Sequence, residues 1–291
     1  MIAFPFIVFG NSLVIFSVWK DPLKKLRSLP SNFIVLSMAI ADLLVGLVAC
    51  PSTVYWHWAV FHSDDRSHLP LLVSSTIVNV SIGHIFLLTV DRFVALLTPL
   101  HYKVKVTNKR VSIAAATCWI YCLFFGCAFG LLQEYYTVVG AIYNIQIFTI
   151  FLSILVLYMV ILCGFHRYSK ETELTNQSRA NRQMIFERER NLWKGTAIVI
   201  CAFLLCFLPW FISQLITLLC LPCHRNLWLL LLFNALFVIL IYVNSGLNPF
   251  LYAWRLPKYR DTFKHLLKKR TCCRGNQDRR VIDNCVNETR L

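Results

Sequence analysis

The chain has 291 residues, of which 57% are apolar and only 15% are charged, and its formal net charge is +15. This composition excludes an ordinary soluble domain, and the polar connectors are too short to form a separate one. The excess of Lys and Arg is confined to particular connectors, so it indicates membrane topology rather than nucleic-acid binding.

Seven apolar segments follow one another along the chain, and we call them spans one to seven. Each can cross a bilayer as a helix, because about 20 residues suffice at a rise of 1.5 Å per residue. The first begins at Met1 and only just reaches that length, which leaves a missing N-terminal portion open. The pattern predicts an all-α membrane protein, a seven-transmembrane helix bundle over residues 1–254, with spans near residues 1–19, 28–56, 67–93, 109–132, 137–166, 189–221 and 226–254.

The basic residues predict the orientation of the bundle. Of the 29 Lys and Arg residues, all but Arg66 and Arg225 lie beside the connectors after odd-numbered spans or in the tail. Cytoplasmic connectors carry such an excess. We therefore expect an extracellular N-terminus, a cytoplasmic C-terminus and a basic surface facing anionic lipids, with no nucleic acid as a partner.

Polar residues interrupt spans two and three at membrane depth. Asp42 lies near the centre of span two, where a carboxylate is costly unless it has partners or is protonated. Ser81 and Arg92 are 11 residues apart in span three and therefore share one helix face, with Ser81 deep enough to meet Asp42. His84 is interpreted as a packed polar residue, because no second histidine or thiolate is evident near it. Asp42 is either a neutral acid hydrogen-bonded in the bundle or a functional group.

Spans six and seven each contain a proline. Pro209 predicts a kink in span six. Pro249 frees backbone groups in span seven, and neighbouring side chains, waters or helices must then satisfy them. Span seven has no Asp, Glu, Lys or Arg, yet it holds three polar residues that must face protein at this depth: Asn244, Ser245 and Asn248.

The segment after span seven, residues 257–269, is amphipathic. Its apolar residues, including Tyr259 and Phe263, lie opposite basic ones, which predicts a short cytoplasmic helix on the inner leaflet. Cys272 and Cys273 lie just beyond it and suit S-palmitoylation, and residues 270–291 are expected to be disordered.

Two cysteines between spans six and seven lie on the side of the bundle expected to be extracellular. Cys220 and Cys223 are close enough in sequence to form a local disulfide. Two free thiols at a helix end remain the alternative. A zinc site would need two further ligands and is not expected.

Taken in order, the motifs resemble those of the rhodopsin-like G-protein-coupled receptors. They are G-N in span one, L-x-x-x-x-A-D in span two, D-R-F at the end of span three, P-L-x-Y after it, Trp119 in span four, C-F-L-P in span six and N-P-x-x-Y in span seven. The resemblance extends from Gly10 to Leu267.

Span seven and its flanks look most like those of adenosine receptors, as in N-S-G-L-N-P-F-L-Y-A-W-R followed by F-K-H. Ser67 stands where the family cysteine begins span three, and Ile150 where a proline lies in span five. Both losses are shared with melanocortin and cannabinoid receptors. The positions that contact the nucleoside in adenosine receptors also differ, and they hold Val78, Gln214, Ile241 and Tyr242.

The resemblance implies a plasma-membrane receptor that binds an extracellular, neutral small molecule and activates a heterotrimeric G protein. Arrestin and membrane lipids would be further partners, and neither enzymatic activity nor a resident cofactor is expected. A melanocortin-like peptide or lipid receptor is the alternative.

The resemblance also implies which residues switch the receptor between states. Arg92 would pair with Glu189 at rest, although the mixed charges around Glu189 leave an ordinary surface pair open. Ile82, Ile150 and two phenylalanines would form a packed switch beneath the ligand. The full set of expected switch residues is Asp91, Arg92, Tyr158, Glu189, Phe203, Phe207, Pro209, Pro249 and Tyr252.

The expected ligand site carries no charged residue. Amine receptors place an aspartate where Ser74 stands, so the site suits a neutral small molecule or lipid better than a biogenic amine. Its expected lining is Thr53, Trp56, Ser74, Ser75, Val78, Gln146, Trp210, Phe211, Gln214, Asn234, Val238 and Tyr242.

A cluster of oxygen-bearing residues is expected deeper in the bundle, formed by Asp42, Ser81, Asn244, Ser245 and Asn248. Hard cations prefer oxygen ligands, and receptors of this family use the cluster for sodium. An allosteric sodium ion is therefore expected, and a protonated, hydrogen-bonded acid is the alternative.

Two other classes of membrane protein need residues that this sequence lacks. A retinal protein needs a lysine in its last span, and none occurs between Lys194 and Lys258. An intramembrane enzyme or a transporter needs paired catalytic groups or broken helices related by an internal repeat. Besides Asp42, only Asp91 is a deep carboxylate, and no repeat is visible. A membrane transporter stays as the last alternative.

Overall fold

The computed structural model describes residues 3–24, 26–62, 69–98, 101–131, 136–174, 200–209, 211–212, 227–255 and 259–266, with single residues 198 and 216. Every regular element in these ranges is helical, as the apolar pattern predicts. The helices of spans one to seven are Ala3–Lys20, then Ser31–Leu44 with Val45–Ala49 and Cys50–His62, then Leu69–Leu97, Asn108–Leu131, Tyr136–Leu174, Ile200–Pro209 and Leu227–Arg255. Short helices follow span three at Tyr102–Lys105 and span seven at residues 259–266.

Within the described residues, three helices are long and apolar enough to cross a membrane. They are Ser31–Trp56, Leu72–Leu97 and Ala141–Gly164, and shorter apolar helices cover Phe4–Lys20 and Ile200–Pro209. Span two continues beyond its predicted end to His62, through the largely apolar residues 57–62. Span five continues to Leu174, through the polar and charged residues that follow its apolar part.

Span three is the centre of the bundle. It packs against spans two, four and five, while span one packs against spans two and seven. A first apolar core joins spans two, three, five, six and seven through residues such as Met38, Ile82 and Phe203. A second joins spans one, two and seven to the helix at 259–266, where Tyr259 and Phe263 are buried. These two side chains therefore contact the bundle.

Glycines allow several helices to approach closely. A Cβ atom on Gly10 would lie 3.0 Å from Pro249, and one on Gly126 would overlap the side chain of Thr76. Small residues matter here because lipid tails are as apolar as leucine, so helices in a bilayer associate through close packing.

We call the end of the bundle that carries Lys20, Arg27, Arg92, Lys105 and Arg110 the basic end.

Span two contains a wide helical turn that the sequence analysis did not predict. The turn covers Val45–Ala49, and the Cys50 N–H donates to the carbonyl of Val45, five residues back. Pro51 explains it, because proline has no N–H and its ring would clash with the carbonyl four residues earlier in a regular helix. A single π-turn relieves that clash and rotates the rest of the span, including Thr53.

Candidate functional site

Asp42 is a fully buried carboxylate that connects three spans. The Ser81 hydroxyl of span three donates to one of its oxygens at 2.7 Å, and the Asn248 amide of span seven donates to the other at 2.8 Å. Asp42 has no ion-pair partner among the described residues. Neutral donors from two helices therefore hold this group at membrane depth.

Further oxygen-bearing residues are buried in spans one and seven. Asn244 and Ser245 are both buried. The Asn11 amide donates to the Ser245 carbonyl at 3.2 Å, and its own oxygen is buried with no partner among the described residues. Each carboxylate oxygen of Asp42 accepts one described side-chain bond and can accept another. This set of oxygen atoms fits a hard cation such as sodium. A site of a different kind, built from three or more His, Cys, Asp or Glu residues, is absent from the described residues.

A cluster of three hydroxyl groups lies in the half of the bundle away from the basic end. Thr53 Oγ1 lies 2.7 Å from Ser74 Oγ and 2.6 Å from the Tyr242 hydroxyl, so the cluster joins spans two, three and seven. Thr53 also donates to the Ala49 carbonyl at 3.0 Å, at the end of the wide turn. All three groups are uncharged, so an ammonium ion would find hydrogen-bond acceptors here but no counter-charge.

Of the other residues expected at the ligand site, some are described by the structure and some are not. Tyr143 donates to the Ser75 carbonyl at 3.0 Å, and Phe211 stacks on Phe148 with ring centroids 5.1 Å apart. Val78 and Gln146 are buried, whereas Trp56 is half-buried. Trp210 and Gln214 fall outside the described residues, and the side chains of Asn234 and Val238 are not described within the helix of span seven.

At the basic end, Asp91 has two partners. Arg92 forms an ion pair with one of its oxygens at 2.6 Å, and the Tyr102 hydroxyl donates to the other at 2.7 Å. Burial raises the pKa of Tyr102, and the charge of Asp91 raises it further, so the phenol remains a donor. Glu189, the expected partner of Arg92, lies outside the described residues.

The expected switch residues occupy the core between the two ends. Phe203 and Phe207 are buried with ring centroids 4.4 Å apart, and Ile82 and Ile150 pack in the same cluster. Nearer the basic end, the Tyr252 hydroxyl donates to the sulfur of Met38 at 3.4 Å, and the Cys201 thiol donates to Tyr158 at 3.8 Å. Pro209 ends the described helix of span six, and Pro249 lies inside the helix of span seven.

A polar chain between spans two, three and four was missed from the sequence. The Trp119 indole donates to Ser37 Oγ at 3.0 Å, Ser37 lies 2.8 Å from His84 Nε2, and His84 Nδ1 lies 2.8 Å from the Val80 carbonyl. A neutral histidine with its proton on Nδ1 satisfies every one of these bonds. Cys118 Sγ lies 3.9 Å from the ring, so a thiol does neighbour His84, contrary to the sequence interpretation.

Spacing along one chain could not have found this polar chain, because it depends on how three helices are rotated against each other.

The two predicted cysteine pairs cannot be compared with the structure. Cys220, Cys223, Cys272 and Cys273 all fall outside the described residues, so the disulfide and the lipidation remain predictions.

Comparison with known proteins points to one family. The family model described as 7 transmembrane receptor (rhodopsin family) matches residues 10–252. The chain is 26% identical over 291 residues to adenosine receptor A2a of Homo sapiens, and the alignment covers 90% of this chain and 69% of that receptor. It is 30% identical over 297 residues to trace amine-associated receptor 13c of Danio rerio, and that alignment covers 90% of this chain and 82% of the receptor.

Proposed function

Because this chain belongs to the rhodopsin family of seven-transmembrane receptors, we propose that it binds a neutral small molecule in the half of the bundle away from the basic end and activates a heterotrimeric G protein at the basic end. The relatives are receptors, so the chain is a receptor and not an enzyme. It is a membrane protein, and the basic end is its cytoplasmic side in this proposal.

The uncharged hydroxyl cluster of Thr53, Ser74 and Tyr242 carries the choice of ligand class. An amine ligand is the competing class, because one relative is named a trace amine-associated receptor. A buried ammonium ion needs a counter-charge, and none of the described residues expected at the ligand site provides one. A neutral ligand with a few polar groups meets the same site without that cost.

Ligand binding would act on the G-protein side by changing the balance between two arrangements of the bundle. A ligand shifts such a balance only by its difference in affinity for the two states. The packed rings of Phe203 and Phe207 lie in the core between the ligand residues and Arg92, so a change in their packing would reach both. Arrestin would use the same basic end, and the basic residues there would face anionic lipids.

A sodium ion beside Asp42 belongs to this proposal. Asp42 with Ser81 and the polar residues of span seven would hold the ion, which would supply the positive charge that the carboxylate lacks among its described partners. The proposal also retains a local disulfide of Cys220 with Cys223 and palmitoylation of Cys272 and Cys273.

The test is a ligand screen in transfected cells with cyclic-nucleotide and calcium readouts. The library is divided into neutral small molecules, cationic amines, lipids and peptides, and mock-transfected cells give the background. We expect responses to neutral molecules. For a neutral agonist that contacts the hydroxyl cluster, Tyr242→Phe should raise the half-maximal concentration about tenfold, because one buried hydrogen bond is lost.

A matched variant, Ser74→Asp, places a carboxylate in the hydroxyl cluster. It should weaken the response to neutral agonists and improve the response to cationic ones. If the unmodified receptor instead responds to amines and to no neutral molecule, the proposed ligand class is wrong. If it responds only to peptides, the melanocortin-like alternative replaces it.

A further inference from the structure

Two buried amides of the packed bundle have no hydrogen-bond partner in the part of the chain that the structure describes. Asn79 of span three is fully buried, and Gln146 of span five is 9% exposed. Among the described residues, neither the oxygen nor the nitrogen of either amide has a partner. Buried side-chain polar atoms are nearly always paired, so two amides that leave all their polar atoms open require an explanation.

The two amides lie at the same depth. Spans three and five run in the same direction, and the bond from Tyr143 to the Ser75 carbonyl sets a common level for them. Asn79 comes four residues after Ser75 and Gln146 three residues after Tyr143, so they lie roughly 6 Å and 4.5 Å further toward the basic end. Residues three or four apart share a helix face, so each amide lies on the face that joins these two spans.

The neighbourhood of the amides is otherwise apolar. Val78, Ile82, Ile147 and Phe151 are buried in the core that contains this part of spans three and five. The amides are therefore the polar groups of an apolar interface, one turn beyond the Tyr143 bond. Polar groups placed in this way give a binding site its specificity.

The chemistry of the open groups restricts what can bind them. Each amide offers an acceptor oxygen and two N–H donors, and neither carries a charge. A charged ligand group would lack a counter-charge here, and an apolar group would leave both amides unsatisfied. Asn and Gln pair in bidentate fashion with groups that present a donor beside an acceptor, as an adenine edge does.

We propose that Asn79 and Gln146 bind the buried end of the ligand through a neutral group that carries a hydrogen-bond donor beside an acceptor. A carboxamide, a lactam or an amino-substituted aza-aromatic ring has this pattern. The inference rests on the proposed function, because it takes a neutral ligand as its starting point, and it names the chemical class. Asn79 was not among the residues expected at the ligand site.

The first experiment measures the melting temperature of the purified receptor in lipid nanodiscs without ligand. Asn79→Leu and Gln146→Met replace each amide with an apolar side chain of similar size. Because an unpartnered amide contributes no bond, both variants should melt at or above the temperature of the unmodified receptor. The control is Asn144→Leu, the same change at an exposed position of span five. A clear fall in melting temperature in both variants would mean that the amides bind structural water, which overturns the proposal.

The second experiment adds three compounds that differ in one group. Benzamide has a donor beside an acceptor, acetophenone has the acceptor alone, and benzylamine has a cation. We expect benzamide to stabilise the receptor at a concentration about tenfold lower than acetophenone, the difference that one net hydrogen bond makes. Asn79→Leu should abolish this preference, and Asn144→Leu should preserve it.

The outcomes separate this inference from the proposed function. If benzamide stabilises the receptor no better than acetophenone, the amide-binding role is wrong, while a neutral agonist found in cells would still support the proposed function. If benzylamine stabilises the receptor most, both fail. A preference for benzamide that survives in Asn79→Leu removes Asn79 from the site.

Discussion

Asp42 is a structural junction between three spans, and in our proposal it is also a regulatory group. Its two described bonds come from neutral donors, which stabilise a carboxylate but leave its charge unbalanced. A buried charge without a counter-charge is costly, and a small cation removes that cost better than further neutral donors do. The buried oxygen atoms around Asp42 make sodium the ion that this position suits.

The residue-scale prediction is that sodium stabilises the receptor through Asp42. The melting temperature of the purified receptor should rise in sodium chloride relative to choline chloride at equal ionic strength, and Asp42→Asn should remove the difference. At ten times the dissociation constant, the gain would be about 1.4 kcal/mol. Asp261→Asn, a carboxylate of the helix at 259–266, is the control and should keep the response.

Agonist binding gives a second measure of the same ion. Sodium should bind the resting bundle better than the active one, so raising its concentration should lower agonist affinity. The organic cation should not have this effect. If neither stability nor affinity responds specifically to sodium, Asp42 is a hydrogen-bonded core acid.

Part of this residue-scale chemistry could be predicted from the sequence. The membrane fixes the depth of each residue along its helix, so Asp42 and Ser81 could be expected to meet, and they are hydrogen-bonded. The bond of Ser37 to His84 could not be expected in the same way. Both residues also have suitable depths, but their contact depends on the rotation of two helices, which sequence spacing does not give.

At the scale of helices, glycine positions decide how closely the spans approach. The side chain that alanine would add at Gly126 coincides with Thr76, whose hydroxyl is already bonded to the Leu72 carbonyl. Thr76 is β-branched and therefore stiff at χ1, so it cannot easily turn aside. A Cβ atom added at Gly164 would lie 2.6 Å from a terminal methyl carbon of Leu96, but that carbon is the far end of a flexible side chain.

This contrast predicts different outcomes for the same substitution. Gly126→Ala should destabilise the receptor by about 1–3 kcal/mol, the usual cost of overpacking. Gly164→Ala should be nearly neutral, because Leu96 can move and alanine favours a helix by about 1 kcal/mol over glycine. Melting temperatures of the two purified variants measure the difference. Equal melting temperatures would mean that spans three and four can separate without cost.

The extent of each helix was easier to predict than its internal geometry. Apolar length gave most helix ends to within a few residues, because a bilayer requires a minimum length. The wide turn at Val45–Ala49 was missed, although Pro51 was its signal. Proline can kink a helix, end it or be absorbed by a π-turn, and the surrounding packing decides among these.

At the scale of the whole molecule, span three connects the two ends of the bundle to which we assign the ligand and the G protein. The hydroxyl cluster, the Asp42 cluster and the Asp91–Arg92 pair all involve span three, which also packs against spans two, four and five. A small shift of this helix would therefore alter all three sites. Such coupling between sites is typically worth about 1–3 kcal/mol.

The Asp91–Arg92 pair supports a prediction about signalling without ligand. Asp91→Asn removes the charge that holds Arg92 at 2.6 Å, so the arginine becomes freer to leave its resting position. We expect a higher basal cyclic-nucleotide or calcium signal at equal surface expression, on the scale of a shift of about 1–3 kcal/mol between states. Tyr102→Phe is the matched control, because it removes a single hydrogen bond to Asp91 and leaves the charge in place, and its effect should be smaller.

Glu189→Gln extends the test across the bundle to span six. If Glu189 also restrains Arg92 at rest, this variant should raise the basal signal as well. The double variant with Asp91→Asn should add less than the sum of the two single changes, because both act on the same arginine. Full additivity would mean that Glu189 acts elsewhere. An unchanged basal signal in both single variants would show that the charge of Arg92 does not hold the resting state, and that packing of the core residues around Phe203 holds it instead.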